Sequence, residues 1–187
     1  MEIFILLVLI LLNGVFVISE ISLVSARKSR LESQAEKGDE RARKALELAN
    51  HPEKFLSATQ IGITLIAILT GVYSGERFGR YLQPSIEKIS FLKEYADTVS
   101  TTIIVIIVTF LSIVFGELIP KRIGLLRAER IAKLVAGPMN FFARITHPFM
   151  WLLSITSSLF FRIFIMKRSS DDAVREEAIK TMITEGT

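Results

Sequence analysis

The sequence predicts an all-α membrane protein: three transmembrane helices, with juxtamembrane helices lying as a belt on the cytosolic side. Three observations carry that prediction. Half of the 187 residues are apolar and only 22% are charged, while the mean hydropathy is +0.45, too greasy for an ordinary soluble domain of this length. Residues 3–26, 55–74 and 98–119 each supply the roughly 20 mainly apolar residues that a crossing requires. The basic residues gather beside these segments. The formal charge of +4 therefore reads as membrane topology, because the cations flank apolar runs instead of forming the aromatic-studded patch of a nucleic-acid binder. With no cysteine in the chain, disulfides, thiolate metal sites and Cys nucleophiles are excluded.

The first span has the length of a secretory signal but lacks a basic leader, and it continues into Ser19 and Glu20 rather than a small-residue cleavage site. No Lys or Arg precedes it, and eight stand between it and the second span. The positive-inside rule then puts the N-terminus outside and this loop in the cytosol. Within the loop, residues 38–50 mix Glu and Arg with Ala and Leu at helical spacing, which predicts a surface helix stopping before Pro52. His51 belongs to that helix-ending turn.

In the second span Gln60, Thr64, Ala67, Gly71 and Ser74 recur at spacings of four and three, so small and polar groups share one face. That face packs against another helix or lines a path. The amide of Gln60 needs a partner in either case. Residues 75–97, with Pro84 and balanced charges, are expected to form an outside loop with a short amphipathic piece. The third span returns inward and meets basic residues from Lys121 to Lys133 at its exit.

Residues 123–136 are expected to form an interfacial amphipathic helix. Residues 138–169 are expected to form aromatic-rich juxtamembrane helices anchored by Trp151 and several Phe residues, with a fourth crossing through 149–166 as the competing reading. A helix start at residues 170–187 breaks off in mid-pattern, which suggests that a soluble domain follows. The expected division is a three-span core over 1–137, the interfacial segment over 138–169 and the start of a cytosolic linker helix over 170–187.

The chemistry concentrates at residues 115–121, FGELIPK, where glycine, carboxylate and proline interrupt an apolar run. A carboxylate costs several kcal/mol or more in hydrocarbon without a partner, so Glu117 is the first functional candidate. Pro120 has no N–H, and the helical carbonyl it cannot serve is that of Gly116. Broken backbone at membrane depth belongs where it is buried in protein or lines a wet cavity, and transporters use such breaks to coordinate cations. Two readings stand for Glu117: ligand of a hard cation, or a surface carboxylate paired with Lys121 at i+4. Ser19, Ser22 and Ser25 form an i, i+3 row in the first span. Their hydroxyls serve either as ligands or in bonds back to helix carbonyls. Glu20 points away from this row and is expected to gate, or to pair with Lys or Arg.

With this topology the serine row, residues 57–64 and Gly116–Glu117 are expected at one depth. Glu117, the Gly116 carbonyl, Ser19, Ser22 and a group from the second span would then supply most of a Mg²⁺ shell. An intramembrane hydrolase is disfavoured, because His51 and His147 both adjoin prolines at the interface and no Lys lies in a span.

The segments SEISLVSARKSRL (19–31), FLSATQIGITL (55–65) and FGELIPKRI (115–123) resemble, in order and spacing, the three signature segments of the transmembrane domain of the CorC / cyclin M magnesium transporters. The resemblance implies a homodimer of three-span subunits in the cell membrane. It also implies Mg²⁺ export by alternating access, driven by inward Na⁺. The family's motif residues carry onto Ser19, Gly116, Glu117 and Pro120. Ser22 departs from the small residue common among relatives. The paired nucleotide-binding CBS modules usual in the family are not among residues 1–187. A membrane scaffold or regulatory subunit without transport of its own is the rival function, since small-residue faces and interfacial helices would serve it equally well.

Overall fold

The computed structural model describes residues 1–89 and 91–164. The first helix, α1 (Glu2–Ser25), carries no charge between Glu2 and Glu20 and ends where Ala26 turns extended (φ −65°, ψ 133°). It is followed by α2 (Lys28–Glu36) and α3 (Glu40–Asn50). Gly38, at φ +91°, makes the reversal between them, a conformation that a Cβ would strain. Asp39 then caps α3, its Oδ1 accepting from the backbone N–H groups of Arg41 at 3.0 Å and Ala42 at 3.1 Å. Residue α3 spacing buries Ala42, Ala45, Leu48 and Ala49 and leaves the charges outside.

At His51 the chain leaves α3, and Pro52 opens α4 (Pro52–Ile86) at a position where its missing N–H costs nothing. The 32 span residues Phe55–Ile86 extend about 48 Å at 1.5 Å per residue. That exceeds the roughly 30 Å of hydrocarbon, so the last turns of α4 project past the apolar layer. Most of the loop expected at 75–97 is therefore helix. Pro84 ends it within one turn, and Arg77 reaches Glu2 of α1 at 3.5 Å.

A 3₁₀ turn, Lys93–Tyr95, leads into α5 (Ala96–Ile113), a π-helical turn (Val114–Leu118) and α6 (Ile119–Leu126). Arg127, at φ −132° and ψ 40°, breaks the helix expected to be continuous over 123–136. From Ala128 the chain runs as α7 (Ala128–Phe164), without interruption at the 137/138 boundary drawn from the sequence. Gly137 lacks the Cβ that would clash with the ring of Pro138, which lets the helix continue. The expected helix start at 170–187 lies outside the described residues.

Among the described residues three segments are long and apolar enough to cross a membrane: Glu2–Ser25, Phe55–Ile86 and Lys93–Leu126. Leu11, Leu65, Ile68, Ile106 and Phe110 point outward from them, which makes this a multi-pass membrane protein with lipid-facing walls. The chain divides into two compact units, Met1–Ile145 and Thr146–Thr187. In the first, Leu23 and Ala26 at the end of α1 pack with Leu31, Ala42, Ala45, Phe55, Ala132 and Ala136. The alanines let the belt helices approach the bundle closely. Lys133 of α7 donates to Asp39 at 2.9 Å and Arg30 of α2 meets Glu129 at 3.8 Å; these pairs fasten α7 to the belt.

Candidate cation site

The register of α1 against the third span decides which polar groups can meet. A Cβ on Gly116 would lie 3.3 Å from the Ile10 carbonyl oxygen and 3.2 Å from Asn13 Nδ2. One on Gly14 would lie 3.0 Å from the Pro120 ring, and one on Gly124 3.3 Å from the Ile18 carbonyl oxygen. Glycine lets the helices approach this closely, since a Cβ at any of these positions would push a neighbour aside by a few tenths of an ångström. Glu117 therefore stands level with Asn13 and Gly14. Ser19 lies six residues further along α1, about 9 Å away at 1.5 Å per residue.

Three clusters at one depth is thus corrected to two levels. Gly62 faces the Phe16 ring, so residues 57–64 of the antiparallel α4 run from the level of the serines to that of Gly14. Gly116 and Glu117 sit apart from the serines. The cause is the π turn and the glycine contacts, which set a register that hydropathy alone does not encode.

Ser19 and Ser22 are fully buried. Ser19 donates to the Val15 carbonyl at 2.6 Å and Ser22 to the Ser19 carbonyl at 3.1 Å, the helix back-bonding that competes with a ligand role. Each oxygen keeps lone pairs. Ser25, Gln60 and Thr64 are exposed on the surface of the chain, whereas Thr59, Thr70 and Ser74 are the buried hydroxyls of α4. Glu117 is paired with Lys121 at 3.1 Å, with both side chains about half exposed.

The carbonyl of Gly116 is taken. Asn13, absent from the sequence-derived set, donates Nδ2 to it at 3.2 Å. Its own Oδ1 is buried with no hydrogen-bond partner, as is Ser112 Oγ. Both atoms belong to residues lining a cavity of about 270 Å³ between the spans, with Thr70, Ser74, Thr109 and Glu117. Among the described residues Glu117 is the sole carboxylate on its wall. The rest of the lining is apolar, including Ile10, Ile63, Val105 and Val108. Among the described residues no three His, Cys, Asp or Glu side chains converge as a metal cluster. One charge and several neutral oxygens are fewer charges than the cages that hold a resident divalent ion present.

The comparisons with known proteins bear on the same segments. The cyclin M transmembrane N-terminal domain matches residues 4–187. The chain belongs to this family. Among curated cyclin M relatives, the UPF0053 protein sll0260 of Synechocystis is 44% identical over 186 residues, covering 100% of this chain and 42% of that protein. A polyamine export protein of Haemophilus influenzae is 35% identical over 178 residues, 95% of this chain and 41% of that one. The UPF0053 protein YhdT of Bacillus subtilis is 34% identical over 180 residues, 95% of this chain and 39% of its own length. The chain spans about two-fifths of the length of these relatives.

Proposed function

We propose that this cyclin M domain is the membrane part of a Mg²⁺ exporter, coupled to inward Na⁺ and working by alternating access as a homodimer. One observation carries the reading: among the described residues Glu117 is the sole carboxylate on a cavity between the spans where Asn13 Oδ1 and Ser112 Oγ lack partners. An orphaned buried oxygen costs about 1–3 kcal/mol. An arriving cation would recover that cost. The Lys121 ammonium acts as an internal stand-in, neutralising Glu117 between cargo ions and moving toward Glu20 when an ion displaces it. The Gly116 carbonyl becomes a ligand once Asn13 lets go of it. Ser19 and Ser22 form a second station, towards the expected cytosolic side, from which Mg²⁺ reaches Glu117.

Polar residues on the outer surface of a span support the dimer. Gln60 and Thr64 would face lipid in a lone subunit, at a cost that a partner's polar face removes. A second cargo is favoured by the apolar cavity walls and by relatives named polyamine export proteins. A linear polyamine could set one ammonium on Glu117 and lay its methylenes along Ile63, Val105 and Val108. Proteoliposomes given separate Mg²⁺, Na⁺ and spermidine gradients distinguish these. Mg²⁺ flux stimulated by an opposing Na⁺ gradient supports the first reading, spermidine flux without Mg²⁺ flux supports the second, and no flux of either favours a scaffold.

A further inference from the structure

We propose that the juxtamembrane belt carries a site for a phosphate group, formed by Arg41 of α3 with Arg130 and Lys133 of α7. These side chains line a hollow of about 430 Å³ together with Asp39 and Leu134. Three cations thus face one carboxylate, and that carboxylate is already engaged. Asp39 caps α3 and accepts from Lys133 at 2.9 Å, and these bonds hold its carboxyl below the ordinary carboxylate range. Among the described residues Arg41 and Arg130 enter no ion pair. Converging cations repel one another unless an anion joins them, and the planar guanidinium fork matches two phosphate oxygens.

The place of the hollow in the fold narrows the ligand. Helix α3 follows α1 and α2, and α7 follows α6, so the hollow lies where two spans leave the hydrocarbon, at headgroup level. Exposed Leu134 gives its rim an apolar contact. A phosphomonoester or phosphodiester fits this combination, whether carried by an anionic phospholipid or free in solution. The site is independent of the cargo at Glu117.

The test uses the chain in phosphatidylcholine nanodiscs with and without phosphatidylglycerol, and in phosphatidylcholine discs with inorganic phosphate, reading thermal stabilisation. The double variant Arg41→Gln/Arg130→Gln removes two charges from the hollow. Arg43→Gln/Lys44→Gln removes two exposed charges elsewhere on α3. Near a membrane each basic side chain contributes about 1 kcal/mol, or roughly fivefold in affinity. The apparent affinity for phosphatidylglycerol should fall about 25-fold in the first variant and stay near the parent's in the second. The same pattern with inorganic phosphate alone assigns a soluble ligand instead of a lipid. Equal losses in both double variants, stabilisation retained by Arg41→Gln/Arg130→Gln, or no stabilisation of the parent by either anion, would overturn the site.

Discussion

Asn13 donates to the Gly116 carbonyl from another helix, across the π turn of the third span. Asn13→Leu should therefore destabilise the protein by about 0.5–1.5 kcal/mol in detergent unfolding, because it removes a part-buried hydrogen bond between helices. It should also weaken cation-dependent stabilisation. Lys121→Met removes the competitor for Glu117 and should tighten apparent Mg²⁺ affinity, by no more than about fivefold given the exposure of the pair. Glu20→Gln should leave binding measurable if, as proposed, Glu20 gates or pairs rather than ligates. Glu117, Gly116 and Pro120 were legible in the sequence because each breaks an apolar run. Asn13 was legible only weakly, as the one polar side chain between Glu2 and Ser19; its partner, 103 residues away, leaves no mark in the sequence.

Close helix contacts through glycine set the register between elements, and they yield sharper expectations than hydropathy. A Cβ at Gly62 would sit 2.7 Å from the Phe16 ring, and that ring is itself held edge-on against Phe142 at 4.8 Å. Gly62→Ala should cost about 1–3 kcal/mol by overpacking, read as a lower unfolding midpoint, whereas Glu47→Ala on the outer face of α3 should be near neutral. The belt has its own pH dependence. Because the Asp39 carboxyl is lowered from 3.8 by Lys133 and by the cap, its contribution is complete above that value and fades as pH falls through the lower folded value. Asp39→Asn keeps a capping oxygen but should flatten the acid limb of the stability profile. The three spans and α3 were legible from apolar length and helical spacing. The helical extension of α4 and the break at Arg127 were not, because charged, Pro-bearing stretches read as loops until tertiary contacts hold them, and α2, short and polar, has little periodicity to show.

Across the whole molecule, the asymmetry of zero against eight basic residues around α1 predicts a cytosolic belt. A cysteine introduced at exposed Lys44 of this cysteine-free chain should resist an impermeant reagent applied to intact cells and react after permeabilisation. Labelling from outside would invert the topology and with it the direction of export. The central claim is that Glu117 carries the cargo cation. A Mg²⁺ titration of thermal stability on the parent and on Glu117→Gln, which keeps the shape of the side chain and removes its charge, tests it most directly. The parent should gain about 2.7 kcal/mol at a Mg²⁺ concentration 100 times Kd, while Glu117→Gln should stay folded and gain almost nothing, the neutral oxygens being unable to offset dehydration of the ion. Equal stabilisation of Glu117→Gln and the parent by Mg²⁺ would contradict the account and move the site to Ser19 and Ser22.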